Sequence, residues 1–196
     1  MKKIILALVL ILSLQTMANS QNIFLSEFKT TNGAVPFDKI TNSDFEPAIL
    51  KGIEEQTQEI NAIVNQRSIA TFENTIVALE RSGKTLNRVL GVFYPYISEN
   101  SNDELMEIST KISPILSAHS TSISLNEKLW EKIKFVYDHI DKSTLDKEDL
   151  MLLNETYLSF ARSGANLEGE DREKYRTLSN EISMLTLKFG QNVLKE

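Results

Sequence analysis

Apolar side chains recur every three or four positions from Ser43 to the end of the chain, with polar side chains between them. A spacing near 3.6 residues places apolar positions on one face of an α-helix, whereas a half-buried strand alternates every second residue. No run of period two follows residue 43 and no repeat of 20 to 50 residues is present, so the pattern predicts an all-α fold. We expect an antiparallel bundle of six or seven helices. The predicted inward positions are Phe45, Ile49, Leu50, Ile53, Ile60, Ile63, Val64, Phe72, Ile76, Val77, Leu79, Leu86, Val89, Leu90, Phe93, Ile97, Leu105, Ile108, Ile112, Ile115, Leu116, Leu129, Trp130, Ile133, Val136, Tyr137, Ile140, Leu150, Leu153, Tyr157 and Phe160.

Short polar side chains predict where these helices begin. Ser43 with Glu46, and Ser101 with Glu104, have the spacing of a capping box, in which two side chains satisfy free N–H groups at a helix start. The other predicted starts are Thr71, Asn126 and either Leu145 or Asp146.

Glycine and proline predict where helices end or bend. Gly83 is expected to break or bend the helix that begins at Thr71, and Pro95 to limit its continuation. Pro114 predicts a kink, and Gly164 suits the left-handed position after a helix end, which costs glycine nothing.

The last predicted helix, from about Gly169, carries a heptad pattern. Its apolar residues are spaced three, four, three and four, a seam suited to antiparallel or coiled-coil-like packing. The seam consists of Tyr175, Leu178, Ile182, Leu185 and Phe189.

The N-terminal residues follow a different pattern. Lys2 and Lys3 precede an apolar run at 4–14, and Ala18 and Ser20 offer small residues for cleavage. This arrangement predicts a secretory signal peptide over residues 1–20, cleaved near Ser20, and hence an exported, periplasmic protein. A retained membrane anchor is the alternative, although about eleven apolar residues are too few to cross roughly 30 Å of hydrocarbon comfortably. We therefore expect no stable membrane insertion.

Residues 21–42 have no clean period and predict an N-terminal arm laid over the surface of a helical domain at 43–196.

Gly and Pro number only 7 and 4, which disfavours both disorder and an all-β protein with many tight turns. The formal charge of −6 disfavours nucleic-acid binding, which needs a basic face to neutralise phosphates. With no Cys, export does not serve to form disulfides.

Candidate chemistry is sparse. His119 and His139 are the only imidazoles, each near the end of a predicted helix, where a cation interacts favourably with the helix dipole. A zinc site needs three or four ligands, and no spacing here supplies them. The sequence therefore predicts no catalytic, metal-binding or cofactor-binding residue in this chain. No nucleophile, base and orienting group can be recognised as a triad either.

Acidic and aromatic side chains have structural interpretations. Paired carboxylates fall in first turns or on polar faces, where the helix dipole favours them or water solvates them. These pairs are Glu54-Glu55, Asp103-Glu104, Glu148-Asp149 and Glu170-Asp171. The large aromatics occupy core spacing and are expected to act as packing anchors rather than to line a ligand site. They are Tyr94, Tyr96, Trp130 and Tyr157.

Several sequence blocks in order resemble the N-terminal region of the thimet oligopeptidase family of zinc metallopeptidases, which includes oligopeptidase A and the bacterial peptidyl-dipeptidases. The resemblance covers about residues 35–196. Its blocks are PFDKI (36–40), DFEPA (44–48), TFENTI (71–76), LExSG (79–83), LxRV (86–89), IxPxLxAH (112–119), LWxKI (129–133), YxxFxRSGAxL (157–167) and NEIxxLxxxF (180–189).

The resemblance implies a helical wall of a deep peptide channel. In that family one zinc ion is bound by a His-Glu-x-x-His helix and a later Glu, and the motif Glu acts as general base on the metal-bound water. None of these residues occurs in this chain, and neither histidine corresponds to the motif. We therefore expect the catalytic domain to lie after residue 196, and this chain to be inactive without it. Short peptides would be the substrates of the complete protein.

Three functional hypotheses follow. The first is the N-terminal, non-catalytic part of an exported zinc peptidase, in particular a peptidyl-dipeptidase that removes C-terminal dipeptides. It predicts apolar faces left uncovered and poor solubility. The alternative is a self-contained helical binding module that lacks catalysis. A novel helical enzyme using scattered carboxylates is the third, and no constellation of residues supports it.

Overall fold

The computed structural model describes residues 22–195, in which every regular element is helical. The predicted signal peptide, residues 1–20, and Glu196 lie outside the described residues. The all-α prediction is confirmed. The six long helices are α1 (Asn42–Asn65), α2 (Lys84–Asn100), α3 (Asp103–Ser124), α4 (Glu127–His139), α5 (Lys147–Arg162) and α6 (Gly169–Lys195).

Shorter helical turns connect and precede these helices. A π-helix at Phe72–Val77 runs into a single α-turn at Ala78–Glu80 and lies between α1 and α2. Turns of 3₁₀-helix lie at Ile23–Leu25, Thr31–Gly33 and Phe37–Lys39 in the arm and at Lys142–Thr144 before α5. Within residues 22–195, no helix combines the length and the apolar character that crossing a bilayer requires.

The structure corrects the first predicted capping box. Helix α1 begins at Asn42, and its capping pair is Thr41 with Asp44 rather than Ser43 with Glu46. The Asp44 carboxylate accepts from the backbone N–H of Thr41 at 2.8 Å and from its hydroxyl at 2.7 Å. Both pairs have the three-residue spacing, so the pattern alone could not select between them.

The second predicted box is also wrong by one residue. Asn102, not Ser101, caps α3, and its side-chain oxygen accepts from the backbone N–H of Leu105 at 3.0 Å. Glu104 instead accepts from the side-chain amide of Asn42 at 2.7 Å and so ties α3 to the start of α1. The predicted starts at Thr71, Asn126 and Asp146 are confirmed, since each side chain accepts a backbone N–H three residues ahead.

Gly83 breaks the helix that begins at Thr71. Its φ of +71° is left-handed, and its N–H donates to the Glu59 carboxylate at 2.7 Å.

Pro95 does not end α2, which continues to Asn100, so that prediction is wrong. Burial of Ile97 beyond the proline offsets the lost backbone hydrogen bond. Pro114 likewise lies inside a helix, the unbroken α3.

The end of α5 follows the prediction. Gly164 has φ +83°, and the next N–H, of Ala165, donates to the carbonyl of Phe160 at 3.1 Å. This bond satisfies a carbonyl that the helix end would leave free.

Two hydrophobic cores form, and α1 contributes to both. The N-terminal half of α1 packs with the arm, α2 and α3, whereas its C-terminal half packs with the π-helix, α4 and α5. At 1.5 Å per residue its 24 residues extend roughly 36 Å, enough to span both cores. Most of the predicted inward positions are buried, but Leu50 and Ile115 are 40% and 38% exposed. The half-buried ones are Ile53, Val64, Val77, Leu79, Leu90, Leu116, Tyr137, Ile140, Leu150 and Tyr157.

The arm does not only cover the surface, because it inserts Phe24 into the first core. This side chain is completely buried, with its ring 5.2 Å from that of Phe45. The Arg88 guanidinium donates to the Phe24 carbonyl at 2.9 Å, and the Asn22 side chain donates to the Asp44 carbonyl at 2.7 Å. The sequence pattern of the arm did not predict this buried residue, because a single buried side chain produces no periodicity.

Helix α6 packs on α3 through a face that the heptad did not indicate. Asn180 accepts from Ser117 at 3.1 Å, and Gln191 donates to Thr110 at 2.7 Å. From the first of these contacts to the second, the residue number rises on α6 and falls on α3, so the two helices are antiparallel, as expected. The predicted seam points away from α3, however, and only its first residue, Tyr175, is half-buried, beside Gly164. The prediction of exposed apolar surface is confirmed: Leu178, Ile182, Leu185 and Phe189 are 45–72% exposed.

Candidate functional site

His119 lies on α3, facing α1. Its Nε2 is 2.8 Å from Oε1 of Gln56, a hydrogen bond in which the imidazole donates. Partial burial lowers the pKa of His119 and so favours the neutral ring. Among the described contacts, no serine hydroxyl bonds to this ring, and Ser122 donates instead to the backbone carbonyl of His119. His119 therefore lacks the bonded nucleophile that a triad requires.

His139 is the last residue of α4 and is exposed. Its Nδ1 bonds to the carbonyl of Phe135 at 2.8 Å, and its ring stacks on the Phe135 ring with centroids 4.3 Å apart. The histidine side chain thus packs and bonds within the last turn of its own helix, a structural role.

The acidic pairs are distributed over different helices. Three pairs lie in the first turns of α3, α5 and α6, where the dipole stabilises negative charge. The fourth is on α1, where Lys51 beside Glu54 lowers the pKa of that carboxyl. In the part of the chain that the structure describes, no three His, Asp or Glu side chains converge as metal ligands would.

The aromatic residues divide into two groups. Trp130 and Tyr157 pack with ring centroids 5.1 Å apart, Tyr157 stacks on Tyr137 at 3.9 Å, and Tyr96 lies 5.7 Å from the Phe45 ring. These are the predicted packing anchors. The prediction that Tyr94 is a core packing anchor is wrong, because it is 53% exposed and lines a cavity.

This cavity has a ligand-sized shape and mixed chemistry. It lies between α1, α2, α3 and α5 and has a volume of about 400 Å³. We call it the four-helix groove; its lining residues are Gln56, Leu86, Leu90, Tyr94, Leu116, His119, Ser120, Ile123, Ser124, Ser159, Phe160 and Ser163. Apolar and hydroxyl groups share the surface, so it suits an uncharged, partly apolar group.

The groove has no recognisable signature in the sequence. Its residues come from four helices, and each contributes side chains that are ordinary in an amphipathic helix. Of the residues singled out from the sequence, the groove brings together Tyr94 and His119, whereas His139 lies elsewhere. Burial raises the pKa of the Tyr94 hydroxyl and lowers that of His119, which favours the neutral form of both groups, and a neutral group contributes hydrogen bonds rather than charge.

The chain is similar in sequence to bacterial peptidases. No family model matches the chain. It is 34% identical over 175 residues to dipeptidyl carboxypeptidase of Salmonella typhimurium and 33% identical over the same length to that of Escherichia coli. It is 25% identical over 159 residues to oligopeptidase A of Escherichia coli.

These matches cover most of this chain but only a small part of each relative. The dipeptidyl carboxypeptidase matches cover 89% of this chain but only 26% of each relative, and the oligopeptidase A match covers 81% and 23%. The chain therefore spans about a quarter of the length of the relatives it matches. On these matches, the chain belongs to the peptidase family that contains dipeptidyl carboxypeptidase and oligopeptidase A.

Proposed function

We propose that this chain is the N-terminal, non-catalytic part of an exported zinc metallopeptidase that removes dipeptides from the C-termini of short peptides. The observation that carries the proposal is the match to dipeptidyl carboxypeptidases over 89% of the chain, at 34% and 33% identity. Identity to oligopeptidase A is lower, at 25%, which favours a peptidyl-dipeptidase over an oligopeptidase.

A role in the wall of a peptide channel is consistent with the fold. Two cores hold α1, α2, α3 and α5 around the four-helix groove, and no described group there has the arrangement of a hydrolytic centre. Rigid helical walls exclude folded proteins by their size and admit extended peptides. The chain would thus restrict which substrates reach a catalytic centre located elsewhere in the polypeptide.

The zinc ion that the family implies does not fit the residues described. Its ligand set needs imidazole and carboxylate groups that converge, but His119 bonds to Gln56 on α1 and His139 bonds to its own helix. Within residues 22–195 no cluster of three such groups exists. We therefore derive no catalytic step from this part of the protein.

Export is part of the proposal and rests on residues 1–20. Their basic start, short apolar run and small residues before Gln21 match a cleavable signal peptide. The mature protein would act in the periplasm on peptides present there. Mass spectrometry of the protein from a periplasmic extract tests this, with a mature N-terminus near Gln21 expected and an intact Met1 as the contrary result.

The function is tested on the whole natural gene product. The coding sequence is read past the codon for Glu196, the product is purified, and an N-terminally blocked peptide is assayed for release of its C-terminal dipeptide. We expect a downstream His-Glu-x-x-His motif, dipeptide release, and loss of activity on zinc chelation that added zinc restores. The polypeptide of residues 22–196 serves as the control and should release nothing. A reading frame that stops after Glu196 would refute the proposal and favour the helical binding module.

A further inference from the structure

One row of apolar side chains on α6 remains uncovered in the described fold. Leu178, Ile182, Leu185 and Phe189 are 45%, 62%, 66% and 72% exposed, and Val193 extends the row at 56%. We call these five residues the α6 stripe. Single exposed apolar residues are common on protein surfaces, but a continuous row of this length marks an interaction site.

The stripe contributes to neither core. Helix α6 is held on α3 by its other side, through Asn180 and Gln191, and the apolar stripe is free to contact something else. The spacing of four, three and four residues from Leu178 to Phe189 is that of knobs that insert between side chains of a second helix. This spacing favours a helix as the occupant over an extended strand or an irregular loop.

Charged residues define one edge of the stripe. Lys174, Glu181 and Lys188 follow each other at seven-residue intervals, and all three are exposed. None of them takes part in an ion pair described for residues 22–195. The other edge holds Ser179 and Thr186, which are uncharged. The matching helix should therefore present acidic, basic and acidic residues along one edge, an order that is the same in either direction.

We propose that the α6 stripe is the docking face for an amphipathic helix from the part of the polypeptide outside these 196 residues. This inference rests on the proposed function, since it requires that the protein has the length of its relatives. The chain covers 26% of those relatives, so about three quarters of such a protein would be available to supply the helix. The docked helix would join the channel wall to the remainder of the peptidase.

The experiment uses the absence of cysteine from all 196 residues. Leu185→Cys places a single thiol in the stripe, and Met151→Cys places one on α5 at nearly equal exposure, 66% against 67%. The labelling rate with a maleimide is measured in the polypeptide of residues 22–196 and in the complete gene product; any native cysteine in the remainder is first replaced by serine. We expect labelling of Leu185→Cys to slow at least about tenfold in the complete product, while Met151→Cys keeps its rate.

A charge reversal tests the chemistry of the occupant. Lys188→Glu, combined with Leu185→Cys, should restore part of the labelling in the complete product because it opposes the expected acidic partner. The effect should shrink in 1 M salt, which screens exposed charges. Thermal melts of each variant in the 22–196 polypeptide establish that folding is intact, as expected for exposed positions.

The outcomes distinguish this inference from the proposed function. If the complete product releases dipeptides but Leu185→Cys labels at the same rate in both proteins, the docking inference is wrong and the function stands. If labelling in the 22–196 polypeptide is slow and rises on dilution, a second copy covers the stripe, and the inference is also wrong. If no downstream sequence exists, the proposed function and the inference fail together.

Discussion

Gly52 lies where α1 and α2 cross with their backbones almost in contact. A Cβ at this position would lie 2.8 Å from both the Cα and the backbone nitrogen of Leu86, closer than real Cβ atoms approach other heavy atoms. Because the obstacle is backbone, it cannot rotate away as a side chain would. Gly52→Ala therefore forces the two helices apart and weakens the packing that α1 and α2 share in the first core.

The expected magnitude combines two opposing effects. Alanine is favoured over glycine inside a helix by about 1 kcal/mol. Overpacking of a tight contact costs about 1–3 kcal/mol, and an immovable neighbour places this case in the upper part of that range. We therefore expect Gly52→Ala to lower the free energy of unfolding by about 1–2 kcal/mol. For a protein of this size the melting temperature should fall by roughly 2–8 °C.

The assay is urea and thermal unfolding followed by circular dichroism, with Gly91→Ala as the matched control. Gly91 lies inside α2, is exposed, and has nothing within 4 Å of its would-be Cβ. The same substitution there should stabilise the protein by about 1 kcal/mol, because only the helix preference changes. If Gly52→Ala also stabilises the protein, the helices separate without cost and the close-contact argument is refuted.

Three further changes test other parts of the fold. Asn74→Ala removes the side chain that accepts from Thr71 N–H at 2.8 Å and donates to the Ile69 carbonyl at 3.0 Å, and should lower unfolding free energy in urea by about 1–2 kcal/mol. Arg88→Met keeps the apolar stem but loses the bond to the Phe24 carbonyl, so residues 22–40 should exchange amide hydrogens faster while α4 and α5 do not change. Burial lowers the pKa of His119 below its usual 6.5, so the folded protein resists protonation; stability should fall as pH drops below about 6.5, and His119→Gln should flatten that part of the profile. An unchanged profile in His119→Gln would show that another group causes the dependence.

Local sequence patterns were sufficient to predict the helices and where most of them begin. Helix formation depends on side chains three and four positions apart, and these are adjacent in sequence as well as in space. Thr71, Asn126 and Asp146 cap helices as predicted because each bonds within the next turn. The family resemblance was also visible in the sequence, because its blocks combine several residues in a fixed order.

Which of two neighbouring residues caps a helix was decided by the tertiary structure. Ser101 and Asn102 are both good caps, and Asn102 is used while Glu104 bonds to Asn42 on α1. Helix α2 likewise continues past Pro95 because Ile97 is buried against the first core. In the first case the local preferences of the two caps are nearly equal, and in the second a contact distant in sequence outweighed the local preference against proline inside a helix.

The sequence by itself determined that the chain is helical, which residues could be apolar faces, and that no metal motif is present in it. Only the tertiary structure decided how those faces are used: Phe24 is buried from an arm without periodicity, Gly52 permits the crossing of α1 and α2, and four helices create the groove. The heptad on α6 shows the physical reason most clearly. Periodicity identifies an apolar face of a helix, but what covers that face depends on the elements packed around it, and here α3 occupies the other side.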